Sequence, residues 1–472
     1  MNNKFKVLFV YPNIPGSTLV PINIPILSAV LKENDIGVEL FDTTGYDPGD
    51  IRNFEKDKEY LLQVKPFEQG KLIYGDKVYE DFASMVNTFK PDIIAVTVVE
   101  DTIDYALRLI ERIKDYDCPV VVGGVGATFN RGILLGSGLV DIVCKGEGEE
   151  AILDIVEYGY FRKEFYPLSN LNNLPFPDFS IFPDNRITRV MHGKKFRMLQ
   201  VEVDRGCPFA CTYCCAPALK GMYGQGYYRQ KSRERLIQEM TYLSKTYKPD
   251  YFDFGSETFL ARKDIFDLLH SYSAWINIPF WCQGRPETIT EDKVKALKAA
   301  GCADFQMGIE HGNAGFRRKY LNRKDTNTQI LKACELLEKH KIPYSVNNII
   351  GWPEETRELV FDTIELNRKI NPKTMNCYMM APYKGTAIRK RLEEEGLIEA
   401  DAKCNQLLGG ADIKYKYLSR QEFLGLQRCF SLYARFEKYW WDSIERAEKF
   451  DYIGNRIFDG LRKEYIERYY AR

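Results

Sequence analysis

Four cysteines lie within nine residues in the segment "CPFACTYCC", which makes this segment the first candidate for chemistry. They are Cys207, Cys211, Cys214 and Cys215, with the spacing C-x-x-x-C-x-x-C-C. Twelve cysteines scattered over 472 residues would rarely produce the three-cysteine part of this pattern by chance. A disulfide framework, a zinc site and an iron–sulfur site are the competing explanations.

The spacing of the cysteines bears on this choice. Zinc sites commonly use two separated Cys-x-x-Cys pairs, and the sequence has no second pair. We expect the side chains of the adjacent Cys214 and Cys215 to point apart, so that they do not share one metal. Three thiolates then remain, which is one fewer than the four that usually hold a 4Fe-4S cluster. Such a cluster would keep one iron open for another ligand.

Composition argues against several classes of protein. Lys plus Arg and Asp plus Glu are equal at 66 each, so no basic patch for nucleic acid or an anionic membrane is expected. The N-terminus lacks a signal-peptide pattern, and no apolar run approaches the ~20 residues of a membrane span. The cysteine content is far below that of a disulfide scaffold, which predicts a cytoplasmic protein with reduced thiols. The cysteines outside the cluster are expected to be free and mostly buried: Cys118, Cys144, Cys282, Cys302, Cys334, Cys377, Cys404 and Cys429.

The elements that must position the cysteines follow from residue 196 onward, where strand-like runs alternate with helical patterns. The runs are "FRMLQVEV", "YFDFGSETF", "PFWCQGRPET", "CADFQMGIEHGN", "YSVNNIIGWPEET" and "NCYMMAPYKGT". This order predicts six βα units, and in βα barrels the chemistry lies at the carboxyl ends of the strands.

The cysteine spacing, with Tyr213 directly before the third cysteine, resembles that of the radical S-adenosylmethionine (SAM) enzymes. The resemblance implies an open, partial (β/α)6 barrel over residues 196–395. It also implies a 4Fe-4S cluster held by Cys207, Cys211 and Cys214, with SAM chelating the open iron. We favour this iron–sulfur site over structural zinc.

The same resemblance implies SAM contacts at the strand ends. Gly255, Ser256 and Glu257 stand where the family often has a Gly-Gly-Glu-like element for the methionyl amino group, with Ser as a departure. Gln283, Arg285 and Glu310 resemble the groups that hold the carboxylate and ribose. Ile350 and Tyr213 are expected to pack against adenine.

Residues 1–170 carry a second pattern of five short apolar strands separated by helical segments. The strands are "FKVLFVYP", "GVELFDTT", "PDIIAVTVV", "CPVVVGG" and "VDIVCKG", which predict a doubly wound, Rossmann-like parallel sheet. No G-x-G-x-x-G follows the first strand, so a dinucleotide site is disfavoured.

The "GG" and "GEGE" segments at the strand ends resemble the cobalamin-binding domain that precedes many radical SAM domains. The simpler alternative is that these glycines only form turns. The resemblance implies a cobalamin site formed by Pro15, Gly16, Ser17, Thr97, Val98, Val99, Glu100, Gly123, Gly124, Gly126, Thr128, Gly146, Glu147 and Gly148. Residues 1–170 contain no histidine and no Asp-x-His-x-x-Gly motif, which predicts base-off, His-off cobalamin.

Two regions connect and follow these domains. Residues 171–195, rich in Pro, Asn and Asp, are predicted to be an ordered linker. Residues 396–472 are predicted to be helical, and their aromatic residues at helical spacing favour packing against the barrel. The alternative is that some of these rings line a substrate pocket.

As a whole, the sequence resembles the cobalamin-dependent radical SAM methyltransferases called class B. The resemblance implies that SAM cleavage yields a 5′-deoxyadenosyl radical, that this radical activates an unactivated carbon, and that methylcobalamin methylates it. It also implies an external electron donor such as flavodoxin or ferredoxin, whereas the substrate stays unknown and no nucleic acid partner is expected.

Two alternatives are kept. The first is a radical SAM cyclisation, oxidation or rearrangement enzyme in which cobalamin has a non-methylating role or is absent. The second is a zinc-stabilised, non-enzymatic binding protein.

Overall fold

The computed structural model describes residues 5–17, 20–68, 70–164, 166, 169–404 and 409–470. Its first sheet has five parallel strands in the order β2-β1-β3-β4-β5. The strands are β1 Lys6–Tyr11, β2 Gly37–Asp42, β3 Ile93–Thr97, β4 Val120–Gly123 and β5 Ile142–Val143. The helices around them are α1 Asn23–Glu33, α2 Phe54–Tyr60, α3 Lys77–Phe89, α4 Ile103–Glu111, α5 Val125–Phe129, α6 Arg131–Gly136 and α7 Gly148–Tyr158.

Strand β1 shows why this sheet is doubly wound. Its residues are apolar on both faces, as expected for a central parallel strand. Val7 and Phe9 pack into one buried cluster with residues of α1 and α7. Leu8 and Val10 pack into another with residues of α3 and α4. The predicted doubly wound sheet is therefore confirmed.

The second sheet has seven strands in the order β12-β11-β10-β9-β8-β7-β6. They are β6 Thr188–Met191, β7 Lys194–Glu202, β8 Tyr251–Gly255, β9 Phe280–Gly284, β10 Cys302–Glu310, β11 Tyr344–Ile350 and β12 Thr374–Met379. Strands β7 to β12 are all parallel, which confirms the six predicted βα units.

The antiparallel strand β6 lies within the segment predicted as a linker, so that segment is not merely a connection. A two-residue turn at His192 and Gly193 joins β6 to β7. Both residues have positive φ, 51° and 81°, which is the backbone of a type I′ hairpin turn. The boundaries at residues 170, 195 and 395 stay predictions.

Helices cover the outside of the second sheet and form the C-terminal region. They are α8 Ala216–Tyr223, α9 Arg233–Tyr247, α10 Ile265–Trp275, α11 Glu291–Ala299, α12 Ala314–Tyr320, α13 Asn327–Lys339, α14 Arg357–Ile370, α15 Ala387–Glu394, α16 Arg420–Arg435, α17 Trp441–Ala447 and α18 Tyr452–Tyr465. None of the helices in the described ranges is both long and apolar enough to cross a membrane.

The aromatic residues of the C-terminal helices mostly serve packing, as predicted. Phe423, Phe430, Tyr433 and Phe436 are all buried and join the large core that also holds the barrel strands. Tyr439, by contrast, is exposed.

The second sheet does not close into a full barrel, because β6 and β12 are its two edges. The segment 54–67 of the first domain contacts both edges. Gln63 Nε2 donates to the Cys377 carbonyl of β12 at 2.8 Å. Glu55 and Lys58 line a cavity together with Arg189 of β6. A segment from the first domain thus reaches into the opening of the predicted partial barrel.

Candidate functional site

The cysteine loop leaves β7 and ends at α8. Its base is a short antiparallel pair, Asp204–Arg205 with Arg229–Gln230. Gly206, next to Cys207, has φ +93°, and a Cβ there would come within 2.6 Å of the Tyr227 carbonyl. Only glycine fits this close approach, which directs the loop across the carboxyl ends of the barrel strands.

Two of the three cysteines of the motif contact residues at strand ends, and the third contacts the start of α8. Cys207 Sγ lies 3.9 Å from Thr258 Oγ1, just after β8. Arg285, just after β9, donates from Nη1 to Cys211 Sγ at 3.0 Å. The Ala216 amide donates to Cys214 Sγ at 3.4 Å. The loop therefore lies over the carboxyl edge of the barrel, as the sequence predicted.

The donor set fits an iron–sulfur cluster better than a single metal ion. Zinc needs its ligands within about 2.3 Å of one point. Among the described residues, no three His, Cys, Asp or Glu side chains are grouped closely enough to hold one ion. A 4Fe-4S cluster takes one thiolate on each of several irons and so accepts wider spacing. Burial raises the pKa of the Cys207 thiol to about 11, so a thiolate there needs the positive charge of a metal.

Cys215 departs from the expectation. Its thiol interacts with that of Cys214, which raises the pKa of the Cys214 thiol and lowers that of Cys215, so the structure does not support the expectation that the two side chains point apart. That prediction assumed extended chain, in which successive side chains alternate. Here the Cys214 amide bonds back to the Cys211 carbonyl at 3.3 Å, and Cys215 already has helical backbone angles.

Glu310 and Arg285 belong to one buried network of charges beside the cysteines. Glu310 Oε1 lies 3.1 Å from Arg323 Nη1, which also lies 3.3 Å from the Tyr213 hydroxyl. Arg323 pairs with Asp325 at 3.0 Å, and Asp325 lies 3.6 Å from Arg285. Arg285 is further held by Glu287 at 2.6 Å. The network brings together residues from four loops.

Arg323 and Asp325 were missed by sequence reasoning. They lie in "YLNRKDT", which follows α12 and shows no strand or helix pattern. Only the fold shows that this segment returns to the site. Glu310 itself has φ +62°, a strained conformation for a residue with a Cβ. Backbone strain of this kind concentrates at functional sites.

The "GSE" segment is held from behind by its serine. Ser256 Oγ donates to Asp204 at 2.8 Å and accepts from the Thr258 amide at 3.2 Å. Gln283 Nε2 donates to the Ser256 carbonyl at 3.0 Å. Glu257 is exposed at the mouth of this site, and desolvation by the surrounding protein raises the pKa of its carboxyl. Ser256 thus ties Gly255 and Glu257 to the base of the cysteine loop.

Ile350, which the sequence predicts to contact adenine, belongs to the barrel core and not to the apolar cluster around Tyr213. Ile350 is fully buried, with 0% of its surface exposed. Ile349 is partly exposed and packs against the same apolar cluster as Tyr213. Because side chains alternate along a strand, an error of one residue moves the side chain to the other face. The structure therefore favours Ile349 over Ile350 at this position.

A cavity of about 340 Å³ lies at the carboxyl edge of the first sheet, in the size range of ligand pockets. The cysteine loop region supplies its other wall, through Glu202, Arg205 and Tyr223. The residues predicted for cobalamin that line it are Thr97, Gly123, Gly124, Thr128, Gly146, Glu147 and Gly148. The apolar lining and the backbone glycines fit a large ring system with few polar contacts.

The other predicted cobalamin residues do not line this cavity. They are Pro15, Gly16, Ser17, Val98, Val99, Glu100 and Gly126. A Cβ on Gly126 would lie 2.6 Å from the Val99 carbonyl carbon, so this glycine serves close packing between loops. Glu100 accepts from the Lys384 amide at 2.8 Å and so joins the first domain to the barrel. The structure therefore favours a structural role for Gly126 and Glu100 over a contact with cobalamin.

Glu147 also has a structural role that the sequence did not reveal. Its carboxylate lies 3.0 Å from Arg205 Nη1, accepts from the Ser169 amide at 2.7 Å and pairs with Arg229. Arg205 also pairs with Glu149 at 2.7 Å. The "GEGEE" segment therefore ties the first domain to the base of the cysteine loop. We call Glu147, Glu149, Arg205 and Arg229 the interdomain charge cluster.

Comparison with known proteins agrees with this geometry. Residues 15–156 match the model of the B12 binding domain, and residues 201–366 match the radical SAM superfamily. An uncharacterized methyltransferase of Pyrococcus horikoshii is 27% identical over 67% of this chain and 73% of its own length. An anaerobic magnesium-protoporphyrin IX monomethyl ester cyclase of Rubrivivax gelatinosus is 23% identical over 74% of this chain and 66% of its own length.

The fold is also seen in a solved structure, the radical SAM methyltransferase TsrM of Kitasatospora setae with cobalamin and a 4Fe-4S cluster bound. It aligns with a TM-score of 0.62 and 17% identity, over 87% of this chain and 82% of TsrM. The chain therefore belongs to the radical SAM enzymes that carry a B12-binding domain, whose cofactors are a 4Fe-4S cluster, SAM and cobalamin.

Proposed function

We propose that the protein is a cobalamin-dependent radical SAM methyltransferase that methylates an unactivated carbon. The observation that supports this most directly is the cavity shared by the two domains. Gly123 and Gly146 line it from the first sheet, and Glu202 and Arg205 line it from the base of the cysteine loop. A methyl carrier at the sheet edge would therefore adjoin the SAM site.

We assign the cluster to Cys207, Cys211 and Cys214, and the SAM site to the strand ends. When bound, the cluster supplies an electron, SAM supplies the radical and the methyl group, and cobalamin carries that methyl group. Arg285 holds the loop through Cys211, and its guanidinium lies 3.9 Å from the Phe209 ring centre. These contacts fix the position of the reacting groups, which is a large part of catalysis in such sites.

Within this site, Arg323 offsets the charge of Glu310. Burial raises the pKa of the Glu310 carboxyl above its ordinary value, and the guanidinium of Arg323 opposes that rise only in part. The ion pair with Arg323 favours the carboxylate form, which would accept hydrogen bonds from a hydroxyl or ammonium of SAM.

The proposal includes base-off, His-off cobalamin. The sequence has four histidines, all beyond residue 170: His192, His270, His311 and His340. None of them lines the cavity between the domains. His192, His311 and His340 pair with Asp304, Glu355 and Glu291, respectively. The cobalt(II) electron paramagnetic resonance spectrum should lack nitrogen triplet splitting, and a clear triplet would contradict this part of the proposal.

We further propose a cytoplasmic enzyme that receives electrons from flavodoxin or ferredoxin. All twelve cysteines lie within the described residues, and all are free, which fits a reducing compartment.

Product analysis tests the function. The reconstituted enzyme, a reductant and SAM labelled in its methyl group are incubated with a small-metabolite extract. We expect S-adenosylhomocysteine besides 5′-deoxyadenosine, and label in a carbon-bound methyl group. Cys211→Ala is the control and should form neither product. If wild type formed 5′-deoxyadenosine alone, the cyclisation, oxidation or rearrangement alternative would replace methylation.

A further inference from the structure

A second cavity, of about 150 Å³, lies inside the partial barrel. Trp281, Gln306 and Asn376 line it from the early or middle parts of β9, β10 and β12, and Arg189 lines it from β6. Glu55 and Lys58 of α2 complete it from the first domain. The site described above uses the carboxyl ends of the same strands, so this cavity lies deeper in the barrel.

The two sites face one interior. Gln306 and Glu310 stand four residues apart on β10, which is about 13 Å along a strand. Tyr378, on the edge strand β12, feels the charges of Glu55, Arg189 and Glu310 together. Tyr378 therefore lies within reach of charges from both sites.

The charged residues that line this cavity differ in whether they have an ion-pair partner. Arg189 pairs with Asp253. Within the described ranges, no ion pair or side-chain hydrogen bond is found for Glu55 or Lys58, although they are three residues apart on one helix. Lys58 Nζ lies 5.4 Å from the Phe54 ring centre, and burial lowers the pKa of its ammonium. Two opposite charges that are half-buried and form no ion pair among the described residues favour a ligand that pairs with both.

An amide chain faces these charges. Gln306 Nε2 and Asn376 Nδ2 both donate to Asn347 Oδ1, each at 2.8 Å. These two bonds fix the orientation of all three amides. They direct the side-chain carbonyls of Gln306 and Asn376 away from Asn347, where they can accept hydrogen bonds from a ligand. An ammonium group of a ligand can pair with an ionised carboxylate and donate hydrogen bonds to neutral carbonyls at the same time.

We propose that the deep cavity binds the zwitterionic head group of a free amino acid, which is the substrate of the enzyme. Its carboxylate pairs with Lys58, and its ammonium pairs with Glu55 and the amide carbonyls. Its side chain extends past Tyr378 toward the SAM residues. This inference rests on the proposed function, since it treats the barrel interior as the place where the substrate reacts. A head group anchored at one end fixes the position of the carbon attacked at the other.

The test is a binding measurement that needs no turnover. A mixture of the common protein amino acids is added to the cluster- and cobalamin-loaded enzyme without SAM, and bound ligands are detected by saturation-transfer NMR. N-acetylated amino acids, which lack the ammonium, and the corresponding amines, which lack the carboxylate, are tested in parallel. We expect at least one amino acid to bind, and both modified forms to bind about tenfold more weakly or worse.

Two variants and a matched control assign the contacts. Lys58→Gln and Glu55→Gln should each weaken binding of that amino acid about tenfold or more. Lys56→Gln is the control, because Lys56 is exposed on the same helix. Far-UV circular dichroism confirms that each variant folds.

Three outcomes would overturn the inference: no amino acid binds, the binding is unchanged in both variants, or the N-acetylated form binds equally well. None of them depends on the reaction. Amino-acid binding without methyl transfer would keep the inference and refute the proposed function, whereas methyl transfer without amino-acid binding would do the reverse.

Discussion

Glu147 gives the sharpest test of how the two domains are joined. Its side chain is buried, and its carboxylate contacts Arg205, Arg229 and the Ser169 amide. Glu147→Gln keeps the shape but removes the charge. The other partners of Arg229 among the described residues are two backbone carbonyls, so its charge would lose its carboxylate. A charge-assisted hydrogen bond is worth about 1.5–3 kcal/mol, and we expect a loss of about 2–3 kcal/mol in the free energy of unfolding.

The assay is urea unfolding of the cofactor-free protein, followed by far-UV circular dichroism, since urea does not screen charges. Glu150→Gln is the matched control, because Glu150 is exposed and pairs with Lys163 at the surface. The free energy of unfolding of Glu150→Gln should stay within about 0.5 kcal/mol of the wild-type value. Cobalamin affinity is measured for the same proteins. An unchanged unfolding midpoint together with strongly weakened cobalamin binding would refute the structural role and support direct contact with the cofactor.

Three further predictions concern the SAM site and the cysteine loop. Burial raises the pKa of Asp204 to about 7 from 3.8, so the native carboxyl keeps a proton that the unfolded chain releases. The free energy of unfolding should therefore fall as the pH rises from 3.8 to about 7. Asp204→Asn removes this effect. In urea unfolding of the cluster-free proteins, the variant should be more stable than wild type, and the difference should be larger at pH 8 than at pH 5. Arg285→Ala and Glu310→Ala should each weaken SAM binding by about 1–3 kcal/mol without loss of iron. SAM binding is measured by titration of the cluster signal. Unchanged binding in both variants would show that the SAM site is misplaced. Cys215→Ala should keep most of the iron in a colorimetric assay, whereas a full loss would make Cys215 a ligand.

The sequence was a good guide to the order of elements. The apolar runs identified all five strands of the first sheet and all six parallel strands of the second, because buried parallel strands are continuous hydrophobic segments. It was a poor guide where partners are distant in the chain. The pairing of Glu147 with Arg205 and Arg229 depends on how the domains meet, which no local pattern encodes.

Three other differences between the sequence-based predictions and the structure have local causes. The hairpin at His192 and Gly193 lacks the Asn-Gly or Asp-Gly signal typical of its turn, so β6 went unrecognised. Ile350 was predicted to contact adenine, although the neighbouring Ile349 is the side chain that packs beside Tyr213, because the sequence of a strand does not show which face each residue lies on. Arg323 lies in a segment without periodicity, although it is central to the charge network.

Lys58 and Glu55 illustrate a further limit. From sequence, α2 belongs to the first domain and carries the mixed charges of a solvated helix. In the structure it reaches the opening of the barrel, and its charges face the interior of a different domain. Sequence periodicity describes the faces of a helix but not what those faces meet.

The central claim is that Cys207, Cys211 and Cys214 hold a 4Fe-4S cluster in a chain that also binds cobalamin. Quantifying iron, sulfide, zinc and cobalamin in anaerobically reconstituted protein tests it most directly. We expect about four irons and four sulfides with one cobalamin per chain, and loss of the iron and sulfide when any of the three cysteines is replaced by alanine. One zinc ion per chain without sulfide, or no retained cobalamin, would contradict the account.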